Sequence, residues 1–118
     1  MAQDANQEWL LVNVPGKDAI KTSDFELRSC DVPVPSAGEL LVELLYASVD
    51  PSHRASMRGD GYNLQAVGNG SPMSSRVVAR VVDSRSDDFA KGDVIVSRAQ
   101  WRRLTTGKFC VYFRIVAC

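Results

Sequence analysis

Short runs of β-prone residues, each closed by Gly, Pro, Asn or Asp, recur along the whole chain. They occupy residues 9–12, 25–28, 39–47, 76–82 and 93–96. Five or more strands at a spacing of roughly 10 residues are typical of an all-β barrel or sandwich. Because 118 residues suffice for one such domain and are too few for two, we predict a single, mainly β unit.

The side-chain pattern within these runs predicts which faces are buried. Residues 25–28 alternate apolar and polar side chains, which predicts a half-buried strand. Residues 76–82 are rich in valine and predict a buried strand. In the strongest run, 39–47, one face of the strand is expected to carry Leu40, Val42, Leu44 and Tyr46.

The segments between the strands predict a helical turn and a long loop. Pro51 suits the first position of a short helix within 51–57, with Asp50 as its N-cap. Residues 58–71 are rich in Gly, Asn and Asp and predict an irregular loop, a kind of loop that is more often functional than accidental. Gly92 closes a turn before the strand at 93–96, where it supplies a backbone geometry closed to other residues.

The charge distribution does not indicate nucleic-acid binding. The formal net charge is zero, but residues 1–50 carry nine acidic and three basic side chains, whereas residues 51–118 carry five and eleven. The arginines of the basic half are scattered, and no stacking platform or nucleic-acid motif accompanies them. We therefore interpret them as solvated surface residues.

Cysteine usage and the amino terminus predict a cytoplasmic protein. Three widely spaced cysteines argue against a disulfide framework and fit a reducing compartment. The polar, acidic amino terminus resembles neither a secretory signal nor a transit peptide. No apolar run approaches the ~20 residues needed to cross a membrane, so no membrane partner is expected.

Three collinear stretches carry a resemblance to a known family. Residues 45–54, LYASVDPSHR, resemble the motif LYLSVDPYMR; residues 78–84, VARVVDS, resemble VGEVVES; and residues 88–96, DFAKGDVIV, resemble GFAVGDVVV. The chain thus resembles, over about residues 8–101, the prostaglandin and leukotriene reductase branch of the zinc-free medium-chain dehydrogenase/reductase superfamily. This branch includes the NADP-dependent alkenal double-bond reductases.

The resemblance implies a GroES-like, partly open β-barrel with one or two short helical turns. It also implies that full-length members use NADPH to reduce the C=C bond of α,β-unsaturated ketones and aldehydes, in a cleft between this barrel and a Rossmann domain. Residues 1–107 match the barrel, and residues 108–118 form an atypical apolar tail. No Gly-rich turn between a strand and a helix is recognisable, so we expect the cofactor domain to be absent. The chain alone should be inactive and hold NADP only weakly.

The resemblance also bears on metal binding. Zinc-dependent relatives carry a Cys after the strongest strand and a Gly-His-Glu run before the valine-rich one. Here residues 48–51 contain no Cys, and Ser75 and Arg76 occupy the His and Glu positions. Neither residue binds zinc, and His53 is the chain's single histidine. We expect no zinc and no other metal.

Four consecutive positions after the strongest strand are implied to face the cleft. By resemblance, the backbone at Asp50 and Pro51 approaches the nicotinamide end of the cofactor. Ser52 lies near the substrate but replaces the Tyr that the family usually carries there. His53 replaces a Met, and either donates a hydrogen bond to a substrate carbonyl or only caps a turn.

Two further positions have open alternatives. Arg54 matches a family Arg and either anchors the loop through a carboxylate such as Asp50 or Asp60, or contacts cofactor phosphate or substrate. Tyr62 either lines the substrate pocket or lies exposed at a loop tip. Residues 75–77 replace three family glycines with bulkier side chains, which predicts a cleft wall unlike that of an active reductase.

A second class of function fits the same sequence. The barrel could be a non-catalytic interaction or oligomerisation module in which residues 108–118 add a strand to a partner or to a second copy. A truncated product of a longer gene and a genuine lone domain both fit the unusual tail. The reductase hypothesis requires instead a small-molecule enone or enal as partner.

Overall fold

The structure is a computed structural model, and it describes residues 6–57, 70–109, 111 and 113–115. Over these ranges the chain is mainly β, as predicted. Its elements are, in order, β1 (Asn6–Leu11), a 3₁₀ turn (Thr22–Asp24), β2 (Phe25–Cys30), β3 (Leu40–Ala47), α1 (Pro51–Ser56), β4 (Ser71–Pro72), β5 (Ser74–Ser84), β6 (Val94–Gln100), β7 (Leu104–Gly107) and β8 (Phe113–Ile115).

The strands form two antiparallel sheets. One has three strands in the order β2-β1-β4, and the other has five in the order β7-β3-β5-β6-β8. Within the described residues the two sheets do not close into one continuous barrel. This agrees with the expectation of a partly open barrel.

The segment between β6 and β7 joins the two sheets. The Trp9 N–H donates to the Trp101 carbonyl over 2.9 Å, and the Arg103 N–H donates to the Gln7 carbonyl over 2.9 Å. An isolated bridge pairs Glu8 with Arg102 between these two bonds. The middle of β1 is therefore fixed to a segment that belongs to the larger sheet.

The main core covers one face of the five-stranded sheet. It contains Leu40, Val42, Val77, Ala79, Val81 and Ile95, each at most 2% exposed. Along β5, Val77, Ala79 and Val81 point into this core, whereas Arg76 and Arg80 are exposed. The predicted strand at 76–82 is confirmed, but it is buried on one face only, because no second layer of described residues covers its other side.

A second, smaller core lies beneath α1. Leu11, Met57 and Met73 are buried there, and Phe25 and Trp101 pack against them. These side chains come from β1, the end of α1 and the segments beside β5 and β7, so the contact places α1 at the junction of the two sheets. The predicted short helix is confirmed, with Pro51 in the first turn and Asp50 as N-cap residue.

The alternation predicted for β3 ends before the strand does. Leu40 and Val42 are buried as expected, but Tyr46 is 74% exposed. The pairing of β3 with β5 shifts register between Leu44 and Tyr46. A bulge adds a residue and rotates everything after it, which turns Tyr46 away from the core.

The turn before β6 and the tail are both tied to the larger sheet. Gly92 has a φ of 96°, the left-handed geometry predicted for it, and its N–H donates to the Val81 carbonyl over 2.8 Å. In the tail, Phe109 and Val111 pack against the main core, and β8 pairs with β6.

The predicted loop at 58–71 lies largely outside the described residues. No helix in the described part of the chain is long and apolar enough to cross a membrane.

Candidate functional site

The amino-terminal end of α1 presents three exposed residues, Asp50, Pro51 and Ser52. Asp50 has extended backbone angles, φ −123° and ψ 155°, and Pro51 opens the helix after it. The Ser48 hydroxyl donates to Asp50 Oδ2 over 2.8 Å, and the Ser48 N–H donates to the Arg76 carbonyl over 2.9 Å. The carboxylate of Asp50 is therefore held by a residue that is itself fixed to β5.

His53 lies behind this exposed end and is only 9% exposed. Its Nδ1 accepts a hydrogen bond from the Asp50 backbone N–H over 2.9 Å, and its Nε2 lies 3.0 Å from the Ser74 carbonyl oxygen. Because an N–H can only donate and a carbonyl can only accept, the proton of the neutral ring is on Nε2. Donation to a substrate carbonyl would require Nε2 to leave Ser74.

Arg54 reaches a backbone carbonyl rather than a carboxylate of the described residues. Its Nη2 donates to the Asp18 carbonyl over 2.8 Å, in the loop that follows β1. Its Nη1 is buried and has no hydrogen-bond partner in the described part of the chain. Asp60, the other carboxylate considered for Arg54, and Tyr62, considered for the substrate pocket, both lie outside the described residues.

Ser75 and Arg76, which the resemblance aligns with zinc ligands of other enzymes, point to opposite faces of β5. Ser75 is 1% exposed, and its Oγ accepts a hydrogen bond from the Trp101 indole N–H over 2.8 Å. Arg76 is exposed on the outer face of β5. Among residues 6–57, 70–109, 111 and 113–115, no three His, Cys, Asp or Glu side chains are grouped closely enough to hold a metal ion.

Sequence reasoning missed an apolar groove of about 660 Å³ beside β1. Its walls include Trp9, Phe25 and Leu27 from the smaller sheet and Tyr46 from the end of β3. Leu27 is 46% exposed there, so β2 is less buried than the predicted half-buried strand, because it is an edge strand that borders the open groove. None of the five residues from Asp50 to Arg54 that have predicted cleft roles lines this groove. Nothing in the sequence marks this groove, because the exposure of its aromatic side chains follows from how the two sheets pack.

Cys30, the last residue of β2, is a free cysteine in the smaller sheet. Partial burial raises the pKa of its thiol above the ordinary value of 9.0, and the nearby Glu8 carboxylate raises it further. The thiol is therefore protonated at neutral pH. A protonated thiol is a poor nucleophile, so nothing here points to cysteine chemistry.

A family described as the N-terminal domain of oxidoreductase matches residues 7–110. The match spans both sheets and includes α1 with its exposed end. The chain belongs to this oxidoreductase family. Together with the relatives described next, this match confirms the resemblance identified from the three motifs, to the prostaglandin reductase and alkenal reductase branch.

Individual relatives support the same assignment. An NADPH-dependent curcumin reductase of Escherichia coli is 31% identical over 97 residues, which are 82% of this chain and 28% of the relative. Prostaglandin reductase 1 of Rattus norvegicus is 35% identical over 79 residues, 67% of this chain and 22% of the relative. This chain thus spans less than a third of the length of either relative.

The fold is shared with CurA from Vibrio vulnificus. Its crystal structure superposes with a TM-score of 0.84, and the structure of its complex with NADPH with a TM-score of 0.81. Both are 24% identical in sequence, and each match covers more than 90% of this chain and 32% of CurA. This likeness confirms the predicted GroES-like fold.

Proposed function

We propose that this chain is the substrate-side domain of an NADP-dependent oxidoreductase that reduces the C=C bond of α,β-unsaturated ketones and aldehydes. The observation that carries the proposal is the family match over residues 7–110, which takes in nearly every described element. Relatives within this match are named as an NADPH-dependent curcumin reductase and a prostaglandin reductase.

The exposed end of α1 is the part of this domain assigned to the reaction. Asp50 and Pro51 are open to solvent, so a ligand can reach their backbone, and the Asp50 carboxylate is oriented by its hydrogen bond from the Ser48 hydroxyl. Ser52, also exposed, is assigned to the substrate side. Arg54 is assigned to the cofactor side. Its hydrogen bond to the Asp18 carbonyl fixes the loop after β1 beside α1. NADPH, when bound, supplies the hydride.

The domain by itself is assigned weak cofactor binding and no turnover. The described residues place only one short helix near the exposed end, and no Gly-rich turn joins a strand to that helix. Backbone N–H groups at such a turn are what usually hold the pyrophosphate of a dinucleotide. We therefore expect weak but measurable binding of NADPH, with a dissociation constant of about 1 mM.

Titration of the ¹⁵N-labelled chain with NADPH tests the proposal. The backbone N–H resonances of Ser52, His53 and Arg54 should shift with increasing NADPH, and those of β6 should not. A variant with Arg54→Gln should bind more weakly, whereas Arg80→Gln, a change of an exposed arginine on β5, should match the unchanged chain. Saturating shifts confined to a surface remote from α1, or no shift at millimolar NADPH, would contradict it.

The apolar groove supports a second candidate, an interaction or oligomerisation module. Trp9, Leu27, Tyr46 and Val49 are between 43% and 81% exposed and all line it. Large exposed apolar surfaces commonly mark places where another molecule binds.

If a second copy of the chain is that molecule, light scattering should give a dimer mass that Leu27→Ser reduces to a monomer. Val34→Ser, at an equally apolar position outside the groove, is the matched control, and a monomer at every concentration would exclude this form of the candidate.

A further inference from the structure

His53 links two elements that are distant in the sequence. Its ring accepts from the N–H of Asp50, just before α1, and faces the carbonyl of Ser74, the first residue of β5. The same ring contacts Trp101 in a T-shaped arrangement, with ring centroids 5.6 Å apart and planes at 73°. The histidine therefore fills the space between the start of a helix and the sheet beneath it.

Trp101 is itself fixed at all of its polar groups. Its N–H donates to the Met73 carbonyl over 2.7 Å, and its carbonyl accepts from the Trp9 N–H over 2.9 Å. The indole N–H donates to Ser75 Oγ over 2.8 Å, and that hydroxyl donates onward to the Arg76 carbonyl over 3.1 Å. A side chain held in this way offers a rigid wall for His53.

We propose that His53, Trp101 and Ser75 form a positioning unit that fixes the exposed end of α1 relative to β5. In this unit His53 acts as a neutral ring with its proton on Nε2, and it does not touch substrate. The assignment of Asp50 and Pro51 to the cofactor rests on the proposed function, whereas the positioning unit rests on geometry alone.

The length of α1 shows why such a unit is needed. The helix has six residues, and helices this short are not stable in water on their own. The third helical position usually carries Glu or Gln, whose side chain accepts the N–H of the N-cap residue. His53 occupies that position and accepts from Asp50 in the same way. Its second nitrogen then adds a bond to β5 that a capping side chain alone would not make.

The unit also accounts for Ser75, one of the three residues that the resemblance aligns with family glycines. Residues 75–77 replace glycines, and glycine at 75 would leave the Trp101 indole N–H without its present acceptor. Ser75 supplies that acceptor inside the core, at 1% exposure. The substitution at 75 and the histidine at 53 thus belong to one arrangement.

Nuclear magnetic resonance of the full 118-residue chain tests the unit directly. Because His53 is the single histidine, its ring ¹⁵N resonances are unambiguous. We expect the proton on Nε2 and an acceptor Nδ1 in the unchanged chain. A proton on Nδ1, or rapid exchange between the two tautomers, would overturn the proposal without any variant being made.

Variants then separate positioning from general stability. His53→Gln can still accept from the Asp50 N–H, so hydrogen exchange of that N–H should stay close to the unchanged rate, while His53→Leu should raise it by about tenfold. Ser75→Ala should accelerate exchange of the Trp101 indole N–H by a similar factor. Ser84→Ala, at the far end of β5, should leave it unchanged. Equal exchange in His53→Leu and the unchanged chain would refute the unit.

The same variants connect the unit to the cofactor. The NADPH-induced shift of the Ser52 N–H should be lost in His53→Leu and retained in His53→Gln. If NADPH shifts nothing in the unchanged chain, the proposed function fails, and the ring tautomer and the indole exchange still decide the positioning unit. If NADPH binds equally well to the Leu and Gln variants, the unit does not position the cofactor-facing end.

Discussion

The side chain of Asn6 pairs with the backbone of Leu104, 98 residues further along the chain, as a neighbouring strand would. Its Nδ2 donates to the Leu104 carbonyl over 2.7 Å, and its Oδ1 accepts from the Leu104 N–H over 2.8 Å. The same Oδ1 accepts from the Gln7 N–H over 2.9 Å. Asn6 is completely buried, so these bonds form out of contact with water. One amide group thereby fixes the start of β1 to the start of β7.

Replacing Asn6 by Ala should lower the free energy of unfolding by about 3 kcal/mol, because it removes three hydrogen bonds to the backbone of Leu104 and Gln7, each worth about 1 kcal/mol. Urea unfolding followed by tryptophan fluorescence measures the change. Asn6→Asp keeps the acceptor but turns a carboxylate oxygen toward the Leu104 carbonyl, so it should also destabilise the fold. If the free energy of unfolding fell by less than about 0.5 kcal/mol in both variants, water would be taking over the hydrogen bonds of the Asn6 amide.

The ionised carboxylate of Asp24 makes the stability of the fold depend on pH. Its Oδ2 accepts from the Lys21 N–H and its Oδ1 from the Asn13 side-chain amide, both over 2.8 Å. These bonds, the one from Lys21 first, lower the pKa of Asp24 below its ordinary value of 3.8. A carboxyl with a lowered pKa stabilises the folded state at pH values above 3.8, and that contribution disappears as the pH falls through the folded-state pKa.

The test compares Asp24→Asn with the unchanged chain at several pH values. At pH 7 the variant should unfold at lower urea concentration, and the difference should shrink as the pH drops below about 4. Asp83→Asn, at an exposed position on β5, is the control and should behave as the unchanged chain. A difference that stays constant down to the acid limit would contradict the role of the ionised carboxylate.

Gly92 should not accept a side chain. Its φ of 96° lies in the left-handed region, which costs other residues about 1–2 kcal/mol. We expect Gly92→Ala to lower the free energy of unfolding by that amount. Gly107→Ala is the matched control, because a Cβ there would meet the Phe109 ring at an ordinary distance of 3.5 Å and its φ is not positive. Equal effects of the two substitutions would show that the conformation of Gly92 is not the cause.

Local pattern was enough to predict most of the fold. Strands, the short helix with Pro51 in its first turn, and the glycine turn at Gly92 depend on residues close together in the sequence, and all three are confirmed. The bulge after Leu44 was not predictable, because the extra residue in β3 is defined by its pairing with β5. The exposed face of β5 is likewise not predictable from local pattern, because it depends on which other parts of the chain pack against the strand.

The candidate site was predictable only in part. A motif indicates the stretch from Asp50 to Arg54. The burial of His53 is not predictable from that motif, because it depends on Trp101, 48 residues away in the chain. The sequence predicts only that Ser75 does not bind zinc, and it does not predict a partner for the Ser75 hydroxyl. Its bond to the Trp101 indole joins β5 to the segment that follows β6, and no local pattern encodes it.

The central claim is that this domain forms the substrate side of a reductase. Its most direct test fuses residues 1–107 to the part of the Escherichia coli curcumin reductase that follows the matched segment, and follows NADPH oxidation with an α,β-unsaturated aldehyde. The account predicts NADPH consumption that requires the aldehyde, is absent without residues 1–107, and falls in the His53→Leu fusion. A folded fusion that binds NADPH and does not oxidise it in the presence of the aldehyde would contradict the claim.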